Sequence, residues 1–218
     1  NIAAEHRYGE KPYGVTPMMA NPRGEVGVEG SLYTEAMIER LRERTTQRAG
    51  VRLGRQHGQI GPLRLVGARQ WQELRDSVGH STWHIDLLTP ATFRNGDRDS
   101  PLPSVRTVVD GLVRCWAEWG PDPAPDQRKA TAASWISQLN LRSETVTYPM
   151  NRGGRRIQVA MTGSLGAMEW RCEPQAHAVV GPLMALAEFT GIGGMTRRGF
   201  GQVSVTPIER VPDRRRVA

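Results

Sequence analysis

Five glycines fall within eleven residues at Gly191-Ile-Gly-Gly-Met-Thr-Arg-Arg-Gly-Phe-Gly201. The apolar stretch before them, roughly 176–189, has helical spacing, and the run from Gly201 to Pro207 has strand character, so the loop leaves a helix and enters a strand. That order excludes the two commonest phosphate-cradling glycine loops, both of which follow a strand and open a helix. A P-loop also needs Gly-Lys-Ser/Thr where Arg198-Gly-Phe stands, and a dinucleotide fingerprint needs a third glycine where Thr196 stands. What remains is Gly191-Ile192-Gly193, then Gly194 to Arg198, then Gly199-Phe200-Gly201. Glycines without Cβ let backbone amides approach a phosphate chain, and Arg197 and Arg198 supply charge at the tip. A helix C-cap followed by a bulged turn accounts for Gly191 and one more glycine, but not for the whole set and both arginines.

The 218 residues carry a formal charge of +7, and only Lys11 and Lys129 among the 29 basic residues are lysines. Arginine's planar fork suits bidentate phosphate contacts and stacking on bases, so a surface facing nucleic acid is the leading reading. A GC-rich coding sequence accounts for the choice of arginine over lysine, but not for the net excess. Cys115 and Cys172 show no CxxC or Cys/His ligand spacing and read as structural thiols in a reducing cytosol, Cys115 on the apolar stripe of a helix; no metal and no cofactor is expected. No run approaches the ~18 apolar residues of a membrane span and no signal-peptide pattern opens the chain, which predicts a cytoplasmic location and no membrane partner.

Along the chain, Asn1 to His6 read as the last turn of a helix. Lys11–Met18 and Glu25–Tyr33 read as a hairpin about the turn Asn21-Pro-Arg-Gly24. Thr34 caps a helix to about Arg48 with Met37, Ile38 and Leu41 inward, and a strand is predicted from Leu63 to Leu74. Gly79-His80-Ser81 marks a seam. Beyond it come a strand at Trp83–Leu88, a loop at 89–103, and the clearest helix, in which Val105, Val108, Val109, Leu112, Val113 and Trp116 recur at helical spacing. A Pro/Asp-rich linker leads to a second helix near Arg128–Leu139. Strands follow at Arg142–Tyr148 and Arg156–Ala160, the latter resuming at Ala167–Arg171. The order β, α, α, β, β, α, β is the split βαβ pattern with one added helix. The expected fold is α+β: tandem ferredoxin-like (RRM-like, βαββαβ) domains with a C-terminal glycine-rich loop. Their expected bounds are 1–79, lacking the first strand and most of the first helix, and 80–208, with a basic tail at 209–218.

The segment from Glu188 through the glycine loop to Val203 resembles the C-terminal signature of the RAMP superfamily, in particular the endoribonucleases that cut CRISPR precursor RNA. Leu88-Thr-Pro-Ala-Thr-Phe-Arg94 with Pro101-Leu-Pro103 is similar to that family's entry to its second domain, and Met161-Thr-Gly-Ser-Leu-Gly166 to the strand region before its last helix. The resemblance implies metal-independent cleavage by the ribose 2′-hydroxyl, leaving a 2′,3′-cyclic phosphate and a 5′-hydroxyl, with the product retained. That chemistry needs a base, an acid and positive charge on the phosphorane.

In the family a histidine ends the first helix a few residues before a Lys/Asn-Pro-aromatic strand entry, and His6-Arg-Tyr-Gly-Glu-Lys-Pro-Tyr13 resembles that arrangement. It implies His6 as general acid or base, Lys11 as phosphorane stabiliser, and Tyr8 as a residue orienting the ribose or stacking a base. Tyr13 reads equally as stacking or as core. The expected RNA-binding residues are Gly191, Gly193, Gly194, Arg197, Arg198, Gly199 and Gly201, with Arg94 and the turn arginines Arg152, Arg155 and Arg156. His84 reads as structural; His57, His80 and His177 read as surface residues. The expected partner is CRISPR repeat RNA, or the crRNA cut from it, and with it other effector-complex subunits. Two alternatives stay open: a non-catalytic crRNA-binding subunit on the same fold, and a ferredoxin-like protein-interaction domain.

Overall fold

The computed structural model describes residues 12–209 other than 18, 21, 24, 48, 49, 54, 55 and 153. The first residues form strands β1 (Tyr13–Val15), β2 (Met19–Ala20), β3 (Val26–Gly27) and β4 (Gly30–Leu32), then helix α1 (Glu35–Gln47) and strands β5 (Gly50–Leu53) and β6 (Gln56–Gln59). β1 pairs antiparallel with β4, and β2 with β3, so the expected hairpin is present. The Thr34 hydroxyl accepts the Met37 amide at 3.4 Å, as a helix cap should. Met37 and Ile38 are half-buried, but Leu41, expected inward, is 40% exposed.

The strand expected over Leu63–Leu74 is not there. Residues 60–70 have no regular structure, Leu65 and Val66 are 80% and 81% exposed, and a short helix α2 (Trp71–Arg75) follows. Among the described residues no strand pairs with this stretch, and β-propensity without a partner leaves backbone groups to water. The helix has its own support: Glu73 accepts the Gln70 amide at 3.2 Å, and Trp71 meets Trp116 edge to face at 5.3 Å.

The rest is organised by one sheet. Its strands are β7 (Thr82–Ala91), β10 (Ser134–Arg152), β11 (Arg155–Cys172) and β12 (Val203–Pro207), in the order β10-β11-β7-β12 with every pair antiparallel. Between them lie a small hairpin, β8 (Phe93–Asn95) with β9 (Arg98–Ser100), and helices α3 (Val105–Trp119), α4 (Gln127–Ala132) and α5 (His177–Thr190). Counting only the four sheet strands in chain order, the sheet runs 2-3-1-4, the topology of a βαββαβ ferredoxin-like unit with α4 added.

Alternation of side chains explains which face is covered. Trp83, Ile85 and Leu87 of β7 are buried, with Trp170 and Met168 opposite on β11 and Val205 and Val203 opposite on β12. They pack against Val108, Val109, Leu112 and Trp116 of α3 and Val180, Leu183, Met184 and Ala187 of α5. The intervening His84, Asp86 and Leu88 lie on the uncovered face. There the Glu169 carboxyl is held below its ordinary range, first by the Ser137 hydroxyl at 2.6 Å and then by Arg171. α3 starts where Ser104 and Thr107 cap one another reciprocally.

Two further boundaries differ from expectation. The helix expected over Arg128–Leu139 stops at Ala132, because Ser134-Trp135-Ile136 pair with Trp170–Cys172 of β11. The periodicity misled because Ala130, Ala133 and Ile136, one turn apart, all face the core across the helix–strand junction. β11, expected in two pieces, is continuous, with a register shift against β7 between Ser164 and Gly166; Gly166 has φ +125° and lies against the Asn140 carbonyl. Among the described residues no helix is long and apolar enough to cross a membrane.

Both cysteines are buried, and neither is in a disulfide among the described residues. Cys172 is 2% exposed, and burial first, then the Glu173 charge, pushes its thiol up to about 11. A raised folded-state value favours the protonated native form, so this contribution to stability is present below pH ~9 and is lost as pH rises towards 11. Native protein at pH 8 should therefore react with a thiol reagent far more slowly at Cys172 than denatured protein does, as mass spectrometry of labelled peptides will show. In α5, Gly181→Ala gains about 0.5–1 kcal/mol of helix propensity but drives a methyl group into the Ser77 carbonyl. Overpacking costs about 1–3 kcal/mol, so calorimetry should show Tm lowered rather than raised.

Candidate nucleic-acid interface

The glycine loop is zipped to its own protein. The Gly191 amide donates to Ala187 O at 2.8 Å and ends α5, Ile192 N–H donates to Gly201 O at 2.8 Å, Gly194 N–H to Thr92 O at 2.7 Å, and Gly201 N–H to Pro90 O at 3.0 Å. Gly191, Gly193, Gly199 and Gly201 all have positive φ, from 64° to 86°. A Cβ on Gly191 would overlap Gly201 O, one on Gly201 would overlap Ile192 O, and one on Gly193 would overlap Thr92 O. A Cβ on Gly199 would lie 2.8 Å from Pro17 N. These four glycines are thus required for backbone-on-backbone packing inside the protein. Gly194 is different: its added Cβ would make only ordinary contacts at 3.5 and 3.6 Å.

The same loop holds the first hairpin. Buried Gln202 donates from Nε2 to Val15 O at 2.9 Å and to Thr196 O at 3.4 Å, bridging β1 and the loop. Gly14 lies against the end of α5, where an added Cβ would be 3.3 Å from Phe189 O. β1 is therefore pinned beside the loop.

Between the loop, the first hairpin and α3 opens a cleft of about 310 Å³. Tyr13 and Tyr33 line it from the hairpin, Arg94 from β8, Arg114 from α3, and Gly191 to Arg197 from the loop. Gly111 of α3 also lines it, and no atom lies within 4 Å of the position a Cβ would take there. Arg94 is exposed, with Nε donating to Gly96 O at 3.2 Å. Three guanidinium groups, two phenol rings and a backbone turn around one opening make a surface suited to a phosphate chain and an unstacked base.

The two tip arginines part company. Arg197 lines the cleft, whereas Arg198 turns the other way and places its guanidinium 5.7 Å from the centre of the Tyr148 ring on β10. β10 and β11 run on together well beyond their pairing with β7 as a two-stranded arm, and Arg152 pairs in backbone register with Arg155 at its tip. Arg155 and Arg156 are exposed. Among the residues expected from sequence, then, Gly191, Gly193, Gly194, Arg94 and Arg197 meet at the cleft, Gly199 and Gly201 are buried against the protein's own backbone, Arg198 lies at the base of the arm, and the turn arginines stand at its end. His6, Tyr8 and Lys11 lie outside the described residues. Tyr13, left open between stacking and core, is half-buried on the cleft wall. His84 is half-exposed beside Asp86 at 3.1 Å, and the His177 ring accepts the Gly79 amide at 3.2 Å across the seam. Sequence reasoning missed Arg114, Tyr33, Gln202 and Tyr148. A glycine in the middle of an otherwise strong helix, Gly111, was the available signal for an opening beside α3.

Residues 85–203 match the family model described as CRISPR-associated endoribonuclease Cas6. The chain belongs to that Cas6 family. The match runs from β7 to the start of β12 and includes the glycine loop, β8 and the arm. Solved structures agree at the level of fold, and these Cas6 relatives are built of tandem ferredoxin-like domains. The product complex of a Thermus thermophilus Cas6 has 21% identity, with 94% of this chain and 86% of that one covered and a TM-score of 0.74. The product complex of a second Cas6 has 22% identity, 94% and 87% coverage and a TM-score of 0.69. A RAMP protein binding different RNA substrates has 14% identity, 91% and 80% coverage and a TM-score of 0.54. No curated protein matches.

The loop geometry separates the glycines experimentally. Gly194→Ala should keep thermal stability within about 0.5 kcal/mol of wild type, whereas Gly193→Ala and Gly201→Ala combine a disfavoured φ with a backbone clash and should each cost about 1–3 kcal/mol. Chemical denaturation of the three variants checks the order.

Proposed function

We propose that this chain binds the repeat of a CRISPR precursor transcript, cuts it once without a metal ion, and keeps the product as crRNA. The observation that carries the reading is the cleft: Arg94, Arg114 and Arg197 converge beside β1, and β1 is the strand that Lys11, Tyr8 and His6 precede by a few residues. In this reading the phosphate at the scissile bond enters the cleft and the repeat's paired stem lies along the arm, where Arg152, Arg155 and Arg156 meet its backbone. The glycine loop's part is to place Arg197 and the half-buried edge at Gly194 against the strand. Related solved structures, product and substrate-mimic complexes of Cas6 proteins and a RAMP protein binding different RNA substrates, fit this use of the fold.

The chemistry follows from the residue types. His6 exchanges a proton with the 2′-hydroxyl or the departing 5′-oxygen, since an imidazole titrates near neutral pH. Lys11, with the cleft arginines, offsets the charge that builds on the phosphorane. Tyr8 orients the ribose. The two units, 1–79 and 80–208, hold the RNA between them in the cytoplasm, and other effector-complex subunits dock on the retained product complex.

The test is cleavage of labelled repeat RNA in EDTA with analysis of the product ends. Wild type should give 2′,3′-cyclic phosphate and 5′-hydroxyl termini. His6→Ala should slow cleavage by roughly 10²–10⁴-fold while binding persists, and Arg197→Ala should reduce the salt dependence of binding by about one phosphate contact. A requirement for divalent metal with 5′-phosphate ends would sink the mechanism. Tight, repeat-specific binding with no cleavage would assign the chain to the non-catalytic alternative.

A further inference from the structure

The arm and the glycine loop meet at Tyr148. Beyond its pairing with β7 the arm is a lone two-stranded ribbon, a form that is marginal in water unless one face is covered. Val146, Tyr148 and Met150 of β10 and Ile157 and Val159 of β11 are half-buried, while Thr145, Thr147, Pro149, Gln158 and Ala160 between them are exposed. Tyr148 makes most of that face's contacts with the loop. Its hydroxyl donates to Met195 Sδ at 3.1 Å, its ring lies 5.8 Å from Phe200, and Arg198 sits over it. Arg198 also approaches Met150 Sδ, at 3.8 Å.

Met195 is itself unusual. Its φ is +61°, and among the described residues it is the only non-glycine in the left-handed region, in a loop where four glycines already take positive φ. Left-handed geometry disfavours a side chain bearing Cβ. A glycine at 195 would satisfy the backbone without cost, so the methionine side chain has a use that offsets its strain. The contact that supplies it is the hydrogen bond from Tyr148.

We propose that Tyr148 is a positioning residue for RNA recognition: it latches the strained Met195 and the Arg198 guanidinium to the arm, so that Arg197 is turned into the cleft and the arm tip and loop move as one body. This rests on the RNA-processing reading above. The latch is what sends two adjacent arginines to opposite sides, one to the strand in the cleft and one towards the stem along the arm. Neither Tyr148 nor Met195 need touch the RNA.

The experiment measures binding and single-turnover cleavage at saturating RNA, well below each variant's Tm, for wild type, Tyr148→Phe, Tyr148→Ala, Met195→Gly and the Tyr148→Phe/Met195→Gly pair. Tyr148→Phe keeps the ring and loses only the hydroxyl, and should slow the saturated rate and weaken binding by roughly three- to tenfold. Tyr148→Ala should lose roughly thirty- to hundredfold. Because glycine needs no latch to hold φ +61°, Met195→Gly in the Tyr148→Phe background should return activity to within about twofold of the Met195→Gly single variant. A Tyr148→Phe variant that loses thermal stability but keeps the wild-type rate and affinity would reduce Tyr148 to a packing residue and overturn the proposal. So would a double variant no better than Tyr148→Phe alone. Carbon-13 methyl spectra of the free protein keep the two readings apart: the Met195 methyl signal should move on Tyr148→Ala. An unmoved signal overturns the latch whatever the RNA does, and a moved signal with a wild type that neither binds nor cuts repeat RNA overturns the RNA reading and, with it, the recognition role.

Discussion

The reciprocal fit of Gly191–Ile192 against Gly201 is the contact on which the rest depends. On each side a carbonyl oxygen occupies the space of a missing Cβ, and the Ile192 amide closes the pair on Gly201 O. This contact ends α5, starts the turn into β12, and brings the loop down on Thr92 and Pro90 at the end of β7. Gln202, one residue on, ties β1 to the loop, and Gly199 gives Pro17 room to pass. A single backbone knot thus joins the last helix, the central strand and the first hairpin, and the cleft is the space left beside it.

Much of this order was legible in the sequence. Helix α3 was readable because its apolar residues keep one face over four turns and Ser104 caps it. The sheet topology followed from the alternation of strands and helices, and the glycine loop's helix-to-strand setting excluded nucleotide-cofactor loops. What could not be read was non-local. The glycines looked like an approach for phosphate, whereas four of them are spent on the protein's own carbonyls, a fact that depends on which segments meet. Residues 63–69 have strand composition but no pairing strand among the described residues, and the Ala132–Ser134 junction keeps one apolar phase through a change of secondary structure. Arg114 and Tyr148 were invisible for the same reason: each matters through a neighbour more than 45 positions away in the chain.

Charge is distributed to match. The covered face of the sheet is apolar, and the uncovered face carries acids as well as bases, with Asp86 beside His84 and Glu169 beside Arg171. A phosphate chain gains little there, because each carboxylate offsets the neighbouring cation. In the cleft and on the arm cations outnumber acids: Arg94, Arg114 and Arg197 converge at one with Asp110 as the single lining acid, and Arg155 and Arg156 stand exposed on the other. Exposed pairs of opposite charge are worth at most about 1 kcal/mol, whereas several arginines along a polyanion add up and release counterions. The proposed RNA path therefore follows the loop and the arm and avoids the open sheet.

Photocrosslinking of bound repeat RNA, read out by mass spectrometry of the crosslinked peptides, tests that path directly. The account predicts crosslinks within 191–201 and at the arm tip near 155–156, with the uncovered strand residues 84–88 and 138–142 unlabelled. Crosslinks concentrated on those sheet residues, with the loop and arm silent, would contradict it.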